Sequence, residues 1–80
     1  MATYQIEVEY TDTFGGEANY CWVKRATLDM PVGSSRKTIM RRCKAAMGLS
    51  GLRGQVSELG DEWHFRPARH CTVMMARVVY

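Results

Sequence analysis

Between Asp29 and Glu58 the sequence has no acidic residue, yet it holds six basic ones: Arg36, Lys37, Arg41, Arg42, Lys44 and Arg53. All eight carboxylates lie outside this stretch, so a net charge of +3 understates how far the two signs are separated. A one-signed segment implies an acidic counterpart, either nucleic acid or an acidic protein surface. Long apolar runs are also missing. None approaches the ~20 residues of a membrane span, so no membrane partner is expected. Cysteine is scarce. Cys21, Cys43 and Cys71 are odd in number and far apart, which excludes the paired framework of a small secreted domain. Free thiols in a reducing cytoplasm are the simpler expectation, and Met1 to Tyr10 lacks the basic and then apolar regions of a signal peptide.

Metal and catalytic patterns are absent as well. His64, His70 and the three cysteines show neither C-x2-C nor H-x3-H spacing. Adjacent strand residues such as His70 and Cys71 would point to opposite faces. No metal or other cofactor is expected. The glycines of Gly48 to Gly54 follow a helix pattern and lack the G-x-G-x-x-G order of a phosphate cradle. A nucleophile pair could be drawn from Cys71 and His64, but any three cysteines and two histidines allow some such pair, and no spacing supports it. A non-enzymatic reading therefore leads.

What is present suits one small α+β domain. Apolar residues make up 46% of the chain and charged residues only 24%, which argues against disorder. Tyr4, Ile6, Val8 and Tyr10 alternate with Gln5, Glu7, Glu9 and Thr11, the period of a half-buried strand. Asp12 to Gly16 breaks that pattern, with Gly15-Gly16 supplying a turn. Asn19 to Leu28 reads as the second arm of a hairpin. Gln55 to Leu59 and Glu62 to Pro67 form another around Gly60-Asp61, where glycine in first position suits a type II′ turn. Cys71 to Tyr80 is apolar at both sets of alternating positions, so a central strand covered on both faces is expected.

Ser35 to Met47 reads as a helix. Ser34 or Ser35 can cap its start, and Gly48 can take the left-handed conformation that ends it. At 100° per residue, Ile39, Met40, Cys43, Ala46 and Met47 share one stripe. Lys37, Arg41 and Lys44 share the opposite face, flanked by Arg36 and Arg42. This face has no Asp or Glu for i,i+4 pairing. Arg36 and Lys37 sit in the first turn, where the helix dipole disfavours cations by ~0.3–1 kcal/mol each. Both features favour a binding face over a merely solvated one. The element order β-β-α-β-β-β gives a two-layer sandwich, with one helix on a four- or five-stranded antiparallel sheet. The other sheet face is left open.

Aromatic residues interleave with polar ones at Tyr20-Cys21-Trp22 and Trp63-His64-Phe65. Strand aromatics can stack bases. Burial is the commoner fate of such rings in small domains, and it is the expectation for Trp63 and Phe65. Tyr20 and Trp22, two apart on a strand, should share one face.

The segment Asp12-Thr-Phe-Gly-Gly-Glu-Ala-Asn-Tyr-Cys-Trp-Val-Lys-Arg25 resembles one seen in small uncharacterised proteins encoded by phages and prophages. The resemblance implies a phage setting and no specific activity. Hairpin chemistry explains the same residues: a Gly15-Gly16 turn, with Glu17 and Asn19 able to bond loop amides. Small phage accessory proteins often act by binding a host machine. The expected function is therefore a non-enzymatic inhibitor, anti-CRISPR-like in style, in the host cytoplasm. Its partner would be a host protein or ribonucleoprotein complex with an acidic surface. The expected binding residues are Arg36, Lys37, Arg41, Arg42, Lys44, Tyr20 and Trp22. The alternative is direct nucleic-acid binding through the basic helix.

Overall fold

The computed structural model describes residues 2–79. The elements run β1 (Thr3–Phe14), β2 (Glu17–Pro31), α1 (Arg36–Ala46), β3 (Gly54–Leu59), β4 (Glu62–Pro67) and β5 (Thr72–Val79). All five strands join one antiparallel sheet in the order β2-β1-β5-β4-β3. Tyr80, which the sequence pattern adds to the last strand, lies outside the described residues.

Local chemistry sets the turns. Gly15 and Gly16 both have positive φ, 63° and 85°. A two-residue type I′ hairpin requires this at both central positions, and glycine takes it without a Cβ clash. The turn is thus only two residues long. β1 runs on through Asp12 to Phe14, and β2 spans Glu17–Pro31 rather than Asn19–Leu28. Gly60 has a φ of 64° and Asp61 does not share the sign, which fits the glycine-first turn between β3 and β4.

The helix follows its sequence signals. The Ser35 side chain accepts a hydrogen bond from the Thr38 N–H at 3.2 Å, and Gly48 beyond the end has a φ of 73°. Ile39, Met40, Cys43 and Met47 are buried against Ile6, Val8 and Tyr10 of β1, Met30 of β2, Trp63 and Phe65 of β4, and Met74 and Ala76 of β5. Full burial of such an aliphatic or aromatic side chain contributes ~1.5–3 kcal/mol, so this one layer supplies most of the driving force. Burial also pushes the Cys43 thiol up to about 11. The loop after α1 is anchored rather than free. Leu49 is buried, its N–H donates to the Lys44 carbonyl, and the Leu52 N–H donates to the Leu49 carbonyl.

The second sheet face is open along most of its length and covered at one end. Arg66 donates from Nη1 to the Gly16 carbonyl at 2.9 Å, so the β1–β2 tip curls back over that face. Beneath it Thr11 and Val73 are buried, and the Thr11 hydroxyl donates to the Trp22 carbonyl at 2.7 Å. β5 is central in the sheet, as expected, but it has cover on both faces only at the Val73 end. Arg77 and Val79 face solvent because the curled tip does not reach them.

Candidate functional site

The two faces of the sheet handle charge differently. On the open face, register alternation brings Glu7 and Glu9 of β1 beside Arg25 of β2 and Arg77 of β5. Arg77 Nη2 lies 3.0 Å from Glu7 Oε1 and 3.9 Å from Glu9 Oε1, and Arg25 Nε lies 3.8 Å from Glu9 Oε2. The hydrogen bond to Glu7 raises the Arg77 pKa further above its ordinary value. His64 Nε2 is 3.3 Å from Glu62 Oε1 but is not aligned to hydrogen-bond with it. Glu7 and Glu9 of this face are thus held by its own cations, while Asp29, opposite Gln5 on the same face, has no ion pair among the described residues.

The helix side keeps its positive charge. Arg36, Lys37, Arg41 and Arg42 are exposed. Among the described residues, Lys37, Arg41 and Arg42 have no carboxylate at ion-pair distance. Arg42 instead rests its Nη1 3.8 Å from Met30 Sδ. Two of the expected cations are tied down. Arg36 Nε meets Glu58 Oε2 of β3 at 2.8 Å. Lys44 is half-buried, donates to the Leu52 carbonyl at 2.6 Å and sits 4.5 Å from the centroid of the Phe65 ring. Lys44 therefore does not stand free on the solvent face with Lys37 and Arg41. Its long stem lies along the core and its ammonium closes the Leu49–Leu52 loop.

A groove runs beside α1 toward β3. One part is lined by Lys37, Met40, Arg41, Lys44, Ser50 and Gly51. The adjoining part is lined by Arg36, Lys37, Met40, Val56 and Glu58. Lys37 and Met40 belong to both. The groove has a basic rim, an apolar floor and a single carboxylate, already paired. Of its residues Met40, Val56, Glu58, Ser50 and Gly51 were not expected. Val56 and Glu58 alternate on one strand and so share a face. That is the only sequence signal that could have pointed to them, and it does not say which face.

The two other expected partner-binding residues separate. Tyr20 has a left-handed φ of 58°, and the β1–β2 register shifts between Thr11 and Thr13. Each breaks simple alternation. Tyr20 consequently lies over the open face, its hydroxyl 3.9 Å from Met75 Sδ. Trp22 packs on the helix side, edge-on to the Tyr10 ring at 5.2 Å and 69°. The expectation that Tyr20 and Trp22 share a face is wrong, and neither joins the basic groove. Asp12 holds the irregularity in place. Its carboxylate accepts from Asn19 Nδ2 at 2.8 Å and from the Cys21 N–H at 2.9 Å. The Asn19 bond, helped by Cys21, keeps that carboxyl below its ordinary pKa. Asn19 thus bonds a side chain, not a loop amide. Trp63 and Phe65 are in the core, as expected.

Among the described residues no group of three or more His, Cys, Asp or Glu side chains is placed to hold a metal ion, and no helix is long and apolar enough to cross a membrane. No family model matches the chain, and no curated protein or solved structure matches it.

Proposed function

We propose that this chain is a non-enzymatic phage accessory protein that binds an acidic surface of a host nucleic-acid-handling complex and inhibits it in the cytoplasm. The observation that carries the reading is the uncompensated charge of α1. Lys37 and Arg41 stand exposed on one helix with no ion-pair partner among the described residues, while Glu7 and Glu9 on the opposite face are held by Arg25 and Arg77. Fixed charge of one sign beside an apolar floor steers and orients an oppositely charged partner. The resemblance of Asp12 to Arg25 supports the phage setting.

The test pairs a pull-down from host lysate, with and without nuclease, with the double variant Lys37→Glu, Arg41→Glu. The reading expects a partner that survives nuclease and is lost with the variant. Reversing two charges at a contact costs several kcal/mol, a fall of orders of magnitude in affinity. A partner lost to nuclease, with affinity falling steeply with salt, would move the assignment to direct nucleic-acid binding. Unchanged capture by the folded variant would remove the helix from the site.

A further inference from the structure

We infer that the occupant of the groove is an extended polypeptide segment alternating acidic with apolar residues, added as a sixth strand to the free edge of β3. This rests on the reading above, that α1 meets an acidic partner, and it names the partner's chemistry.

Three observations converge on β3. It ends the sheet, and among the described residues no strand pairs along its outer side. All six of its residues are exposed, so its outward N–H and C=O groups are open to a ladder. It is also the less guarded edge. β2, at the other end, carries Lys24, Arg25 and Asp29, a left-handed residue at Tyr20, a register shift and Pro31. Charges, irregularities and proline are what keep an edge from pairing. β3 has one charge, Glu58, and Arg36 neutralises it.

The chemistry of the added strand follows from alternation. Side chains beside Val56 and Glu58 would face the helix and meet Arg36 and Lys37 across the groove. Carboxylates suit those positions. Side chains on the other face would lie beside Gln55, Ser57 and Leu59, and Leu59 is 62% exposed. An apolar side chain covers it. Phosphate backbone fits less well, because it cannot pair with the open N–H and C=O groups along the β3 edge. A second copy fits less well too. Antiparallel edge pairing sets both helices on the same side and brings the two basic rims together.

The experiment follows backbone amide NMR shifts of the whole chain during titration with an octapeptide of alternating Glu and Val. Parallel titrations use the same peptide with alternate amides N-methylated, a Lys–Val octapeptide and oligodeoxythymidine. The expected result is shifted, exchange-protected amides within Gln55–Leu59 for the Glu–Val peptide alone. Lys37→Glu, a surface change, should weaken that binding about tenfold or more. Equal binding of the N-methylated peptide would overturn strand addition, since it keeps the charges but cannot form the ladder. Shifts confined to other strands would overturn the site. Oligodeoxythymidine moving these amides while the peptide does not would overturn the peptide assignment. Sedimentation showing that β3 pairs with a second copy would overturn it in favour of a dimer. Loss of the lysate partner in the Lys37, Arg41 variant beside an inert peptide would leave the function standing and remove this inference.

Discussion

Arg36, the first cation of the acid-free segment, pairs with Glu58, the carboxylate that closes it, with Nε and Oε2 2.8 Å apart. Glu58 is the first carboxylate after Asp29, and the fold returns it to the helix start, where cations are least favoured. Both side chains are well exposed, so the pair adds at most ~1 kcal/mol to stability. Its larger effect is on the groove, where it cancels one positive charge.

Glu58→Gln should therefore leave the fold nearly unchanged and free Arg36 for a partner. The expected result is a melting temperature close to the parent's and tighter binding of the acidic partner at low salt, converging with the parent as salt rises. Weaker binding would mean that Glu58 itself contacts the partner.

Among the helix cations, Lys44 should behave unlike Lys37 and Arg41. Lys44→Glu removes the bond to the Leu52 carbonyl and puts an anion beside the Phe65 ring. A loss of about 1–3 kcal/mol in urea unfolding is expected. Lys37→Glu and Arg41→Glu should each change stability by under ~0.5 kcal/mol. Ile39→Asp marks the other extreme. It places a charge with no partner in the layer between helix and sheet, and circular dichroism should show an unfolded chain. A stable Ile39→Asp would refute the packing of α1.

The cysteines should divide two to one. Cys21 and Cys71 are exposed and free, and Cys43 is fully buried. A thiol reagent should label the exposed pair quickly and Cys43 only on unfolding. The raised Cys43 pKa also has a sign. Folding keeps the thiol protonated up to about 11, while the unfolded chain ionises near 9.0. Stability is undiminished below the lower value and falls as pH rises between the two, by roughly 2–3 kcal/mol in all. Cys43→Ala should flatten that alkaline slope. Equal slopes, or three thiols of equal reactivity, would contradict the burial.

What the sequence showed was local. The Ile39–Cys43–Met47 stripe, the Ser35 cap and the two glycine turns each depend on neighbours a few residues away, and each appears where expected. What it hid depends on distant partners. Lys44 looks solvent-facing by helical angle until the Leu49–Leu52 loop folds beneath it. Tyr20 and Trp22 look paired by spacing until a left-handed residue and a register shift part them. The groove needed Val56 and Glu58, whose facing is fixed only when β3 pairs with β4. The apolar alternation of β5 was read as two-sided cover, though only the hairpin tip provides it, and only near Val73.

The sheet order sets the order of assembly. The β1–β2 hairpin and the β3–β4–β5 meander are each made of sequence neighbours, and the β1–β5 seam is the one strand pairing that joins them. Along that seam Arg77 reaches Glu7 across seventy residues. Such distant closure is slow, and it cannot begin on the ribosome until β5 has emerged. Until then one side of β1, with Ile6, Val8 and Tyr10, remains an unpaired, sticky edge. A chain cut short before Thr72 would keep the β1–β2 and β3–β4 hairpins and lose the strand that joins them.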